Sequence, residues 1–298
     1  MFKIKEKMQT IMLTRKEYRK KEYYKASIKL LDKFVDIILD GDIDKLMTYC
    51  FDDLKEISVF TTSGTQEAFD CDNLIITKAI YCILWGHIFD IKEGDIGNWN
   101  SSTEMCIFRG DTINSFNTLF GGDRYGQFGY RARNRGLDTD FYIWKGITSF
   151  YREYHTIGNF ILLPNIGNVN GKRVYKNVGD YFDLFLIDVD KYKRKEDMHN
   201  AKLKEVLEKN DFYSREECFK ILKEEMFLND YFDDKFNPRY VFGNVTRSYR
   251  YFENNHNEYK KFVKNYIRRS EKIISKRSKK MIKILKSELK IFKSELKI

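Results

Sequence analysis

The stretch Tyr154–Tyr192, YHTIGNFILLPNIGNVNGKRVYKNVGDYFDLFLIDVDKY, decides how the chain is read. It opens on the apolar run Phe160-Ile161-Leu162-Leu163, closed by Pro164, one of only 2 prolines in the chain. Asn165, Gly167, Asn168, Asn170 and Gly171 then form a polar loop, and a second apolar run follows from Tyr181 to Val189. Short apolar runs separated by turn formers predict a buried strand, a loop and a buried helix. A site is expected where the loop joins the two buried elements.

Working outward, the upstream chain reads as helical over residues 1–57, with Ile28, Leu31, Phe34, Val35 and Ile38 at three- and four-residue steps and Gly41 as a stop. A second short helix is expected across Asp44–Leu54, and a connection from Val59 to Asp72. The segment Asn73–Ile88 is a compact apolar run whose β-branched content argues strand, while Ile76, Ile80, Ile83 and Leu84 fit a helical face equally well; helix is the preferred reading. A strand is expected at Glu104–Arg109, followed by Gly110-Asp111-Thr112 as a turn or N-cap into a short helix, INSFNTLF. Residues 121–140 are rich in Gly and Arg, and Phe141–Tyr154 reads as helix.

Downstream of Asn200 the pattern is helical again. Ser214, with Glu217 three residues later, suggests a capping box ahead of SREECFKILKEEMF. Asn257–Ile298 predicts one long amphipathic helix with Ile267, Ile274, Met281, Ile284 and Leu285 on one stripe. Its near-repeat, LKSELKI then FKSELKI, has coiled-coil character. The expected fold class is α+β: a mostly helical body around a small β-sheet, with a long basic C-terminal helix. The expected division is a basic extension over 1–29, a single α+β body over 30–255, and the helix over 256–298.

Charge sharpens this division. The net charge of +10 is unevenly spread. Residues 260–298 hold 15 Lys and Arg against 3 Asp and Glu, and residues 1–29 hold 10 against 3, so the remainder is acidic with a net of −9. Attraction to a polyanion must therefore come from the ends or from a local patch. The C-terminal candidates are Arg268, Arg269, Lys276, Arg277 and Lys280. A loop patch is the second candidate, where Arg124, Arg131, Arg133 and Arg135 alternate with Tyr125, Phe128 and Tyr130, the pairing of cations and aromatics that suits phosphates and stacked bases. DNA or RNA is the expected partner of both, and a protein partner of the acidic body is the alternative.

The 5 cysteines are widely spaced with no CxxC, which fits reduced thiols in a cytoplasmic protein. No stretch reaches the roughly 18 apolar residues of a membrane span. The high Lys, Ile, Asn, Tyr and Phe content is the bias of AT-rich genomes, and points to a low-GC bacterium or its phage.

Enzymatic motifs are sparse. P-loop, GxGxxG, GxSxG and HExxH patterns are absent. His155, Asn159 and Asn168 sit at a strand–loop junction as in HNH-type nucleases, but the upstream His element is missing, and no metal or cofactor is expected. Arg109 ahead of Ser115 suggests an ADP-ribosyltransferase, but Thr61-Thr62-Ser63 precedes the Arg and the order fails. The remaining catalytic alternative places Arg109, Asp111, His155 and Asn159 in one pocket, with an arginine of the loop holding phosphate.

The segments Tyr81–Gly86, Phe108–Asn117, His155–Pro164 and Asn177–Lys191 come in the order and rough spacing of an uncharacterised bacterial domain family, which the chain resembles over about residues 73–245. Thr156-Ile157-Gly158, Pro164 and Asp180-Tyr181-Phe182-Asp183-Leu184 carry the resemblance. Gly110-Asp111-Thr112-Ile113 departs from the family's Ser-Asp-Ser-Ile turn. The resemblance implies a shared fold and a pocket between these segments, and no activity.

Overall fold

The computed structural model describes residues 13–40, 75–91, 96–97, 108–114, 146, 149–150, 153, 156–164, 182–198, 201–208, 211–243 and 254–295. The expected helix over 44–54, the connection over 59–72 and the arginine loop lie outside them. The described chain is mostly helical and divides into two compact units. One, here the terminal unit, draws on Thr10–Thr112, His155–Leu163 and Lys276–Ile298. The other, the central unit, draws on Ile113–Tyr154 and Pro164–Ser275.

The terminal unit begins with a single helical turn, α1 (Arg15–Tyr18). The sequence Thr-Arg-Lys-Glu closes a capping box, in which Thr14 Oγ1 accepts from the Glu17 amide and Glu17 Oε2 accepts from the Thr14 amide. Helices α2 (Glu22–Lys33) and α3 (Val35–Asp40) follow. Of the apolar face read from sequence, Ile28, Leu31, Phe34 and Ile38 are buried, while Val35 is half-buried.

Helix α4 (Ile75–Phe89) is apolar on every side and buried on every side from Ile76 to Phe89 apart from Lys78. Its last carbonyls need donors, and the segment around α1 supplies them. The Leu13 amide donates to the His87 carbonyl at 3.0 Å, and the Arg15 guanidinium donates to the Leu84 carbonyl at 3.2 Å. Asp90, at φ 42°, ends the helix in the left-handed region and lets the Ile91 amide reach the Gly86 carbonyl. Gly86 is required here, because a Cβ at that position would overlap the Tyr18 ring. The Tyr18 hydroxyl in turn donates to the Ile91 carbonyl at 3.1 Å.

The strands among the described residues are β1 (Ile96–Gly97), β2 (Phe108–Thr112) and β3 (Phe160–Pro164), in the order β1-β2-β3, and an isolated antiparallel bridge joins Phe232 to Pro238. Ile96 pairs with Phe108, and Gly97 with Arg109, in parallel register. Gly110-Asp111-Thr112 is therefore strand, not the turn or cap that its composition suggests. A turn of 3-10 helix, Ile157–Asn159, leads into β3.

In the central unit, the second apolar run of the opening stretch forms α5 (Phe182–Lys193). Its buried Asp183 accepts from the Leu184 amide at 2.9 Å and the Phe242 amide at 3.2 Å. Helices α6 (Ala201–Glu208), α7 (Asp211–Ser214) and α8 (Cys218–Lys220) follow, and α8 runs on into a π-helical turn, Ile221–Glu225. Edge-to-face aromatic pairs fill the space between them, with Phe182 against Tyr231 at 5.1 Å and Phe185 against Tyr213 at 5.5 Å. The capping box expected at Ser214 is corrected: Ser214 closes α7, and Glu217 occupies the N-cap position of α8 without a side-chain cap.

The last element, α9 (His256–Glu295), is 40 residues long and confirms the long C-terminal helix. Its residues up to Ser275 belong to the central unit and those from Lys276 to the terminal unit.

Candidate nucleic-acid interface

A helix as polar as α9 is held in place by a narrow apolar seam. In the central unit, Tyr259, Val263, Tyr266 and Ile267 are buried, with Tyr266 packed edge-to-face on Phe150 at 5.7 Å and tilted against Phe242 at 4.7 Å. In the terminal unit, Met281, Leu285 and Leu289 are buried, and Ile284 is half-buried.

Two charged side chains share the seam, and both are answered within the terminal unit. Arg277, 2 % exposed, donates to the Gly158 carbonyl through Nη1 and to the Phe160 carbonyl through Nη2 at 3.0 Å. Ser278 Oγ accepts from the Gly158 amide at 3.0 Å, so two successive residues of α9 hold the turn that precedes β3. Glu288 accepts from Arg19 Nε at 2.7 Å, Arg19 Nη2 at 2.8 Å and the Tyr24 hydroxyl at 2.8 Å. Burial pushes the Glu288 carboxyl up, but the hydrogen bonds from Arg19 and Tyr24 and the charges of Arg19 and Arg15 outweigh it and hold the group below its ordinary value.

The opposite face is basic. Lys276, Lys279, Lys283, Lys286, Lys290 and Lys293 are all exposed, and their alternating steps of three and four place them in one row along the helix. Lys279, Lys283, Lys286 and Lys290 make no ion pair or hydrogen bond among the described residues. Lys293 meets Asp32 at 2.7 Å. The one carboxylate between Lys276 and Lys293 is Glu288, which is buried on the seam. The helix itself carries no exposed carboxylate between Lys276 and Lys293, a span of roughly 26 Å at the helical rise, and Asp32 answers the row at its Lys293 end.

The residues singled out from sequence divide accordingly. Lys276 and Lys280 are exposed, and so is Arg268. Arg269 donates to the Val241 carbonyl. Arg277 is corrected: its guanidinium is buried on backbone carbonyls and cannot face a polyanion. Arg124, Tyr130, Arg131, Arg133 and Arg135 lie outside the described residues, as does His155. Arg109 and Asp111 both fall on β2. Asn159 is buried in the 3-10 turn. Sequence reading picked Lys276 and Lys280 with three arginines and missed Lys279, Lys283, Lys286 and Lys290; the three- and four-residue spacing of the lysines was the available signal.

Among the described residues, no group of three or more His, Cys, Asp or Glu is placed to hold a metal ion, and no helix is long and apolar enough to cross a membrane. No protein-family model, curated protein or solved structure matches the chain.

Proposed function

We propose that this chain is a nucleic-acid-associated protein of a bacterium or its phage, and that α9 carries the contact with the phosphate backbone. The observation that supports it is the exposed lysine row of α9, with no exposed carboxylate on the helix between Lys276 and Lys293, on a chain whose middle is acidic. A polyanion is repelled by the net charge of the middle and attracted along the row.

Two competing uses of a basic amphipathic helix fit this chain less well. Lying on a membrane requires free apolar residues to enter the lipid interface, and assembly as a coiled coil requires the same residues for a partner helix. Met281, Leu285 and Leu289 are already buried by the chain itself.

Fluorescence anisotropy with labelled DNA and RNA tests the reading. Binding at about 50 mM salt that weakens roughly a hundredfold by about 200 mM is expected when four or five phosphates are neutralised. Absence of binding at the lower salt ends it.

A further inference from the structure

We infer that the α9 row takes double-helical nucleic acid, holding the phosphate backbone without reading the bases; this rests on the nucleic-acid reading above and names its ligand.

Three features of the row select a duplex. The first is stiffness. The six lysines stand on one helix whose opposite side is fixed by Arg277, Met281, Leu285 and Glu288, so the positions from which the cations extend form a fixed straight row. A duplex is straight over a persistence length of about 50 nm and already presents its phosphates in order. A single strand has to be straightened to meet the same array, at a cost in conformational entropy.

The second is the absence of a stacking platform. Proteins that hold single strands recover the ordering cost by stacking bases on aromatic side chains. The one aromatic residue between Lys276 and Lys293 is Phe292, half-buried and turned away from the row by its helical position. Between Lys276 and Lys293 the helix itself offers an unpaired base nothing to stack on.

The third is the chemistry of the cations. Base edges are read by planar forks and amides, such as Arg on guanine and Asn or Gln on adenine. The row consists of lysines, whose ammonium groups act as point charges on phosphate. The one arginine between Lys276 and Lys293, Arg277, is taken up by backbone carbonyls. The row therefore supplies affinity with no means of sequence choice.

The test uses the full chain and four probes: a short DNA duplex, a duplex of shuffled sequence, the single strand of the first, and phosphatidylserine vesicles. Two triple variants are compared with the parent. K279Q/K283Q/K286Q removes charge from the row, and K204Q/K220Q/K235Q removes the same charge from exposed lysines elsewhere. Thermal melts of both variants are expected to match the parent. Both duplexes are expected to bind equally, and tighter than the single strand. The salt slope of log affinity is expected to fall by roughly 3 in the row variant and to stay unchanged in the other. Preference for the single strand, or a clear preference between the two duplexes, overturns this inference and leaves the nucleic-acid reading standing. Equal behaviour of the two variants overturns this inference and the assignment of the contact to α9, and leaves only nucleic-acid binding by the chain. Binding to vesicles alone, or to nothing at low salt, overturns both.

Discussion

Arg19 and Glu288 stand 269 positions apart in sequence and meet in a bidentate pair, Nε to Oε2 at 2.7 Å and Nη2 to Oε1 at 2.8 Å. The pair ties the first described helices to the last within the terminal unit. Glu288 is 4 % exposed, so losing Arg19 leaves a carboxylate with little access to water. Arg19→Ala is expected to cost about 3 kcal/mol, read as a shift in urea midpoint. Arg19→Met with Glu288→Met is expected to cost less than either single change, because no buried charge is then stranded. The pH dependence follows from the lowered carboxyl. A depressed folded-state value gives stability that is fully present above the ordinary value of 4.5 and is lost as the pH falls through the folded one. The penalty of Glu288→Gln is therefore expected to be largest at neutral pH and to shrink in acid; a constant penalty across that range contradicts the assignment.

Gly86 is fixed by its neighbour. Gly86→Ala drives a methyl group into the Tyr18 ring in a fully buried site and is expected to lower stability by about 2 kcal/mol. In a Tyr18→Leu background the same substitution is expected to cost less. Equal costs in the two backgrounds would mean the two residues are uncoupled.

Arg277 acts as a backbone donor. Arg277→Met is expected to cost about 3 kcal/mol, because the Gly158 and Phe160 carbonyls lose their partner in a dry site. Arg277→Lys is expected to restore little, since an ammonium lacks the fork that spans two carbonyls. Nucleic-acid affinity per folded molecule is expected to be unchanged in Arg277→Lys, which separates this residue from the exposed lysines.

Cys218 is buried in the central unit, and burial pushes its thiol up to about 12. Mass-resolved labelling with a thiol reagent at neutral pH is expected to spare Cys218 until denaturant unfolds the chain. Rapid labelling of the native protein at this position contradicts the packing of α8.

Legibility from sequence varied with the kind of interaction. The α4 and α9 helices were readable because their apolar patterns are long and each stands largely alone. Gly110-Asp111-Thr112 was not, because strand formation beside a neighbouring strand overrides a local preference for turns. Ser214 shows the same limit on a smaller scale: the Ser-x-x-Glu spacing was present, but the chain uses that serine to end α7. The basic character of α9 was readable as charge. The division of its cations into an exposed lysine row and a buried arginine was not, because that choice depends on the carbonyls of residues 158 and 160.

The sharing of α9 has a consequence for biosynthesis. Residues 256–275 complete the buried packing of one unit and residues 276–295 that of the other. A unit whose helices α1 and α2 are synthesised early therefore completes its packing only when residues 276–295 have emerged, after every segment of α5 to α8 has been made. Until then Arg19 and Tyr24 wait without the carboxylate of Glu288. A chain stopped between Ser275 and Glu288 would keep the first half of α9 for one unit and deprive the other of its partner.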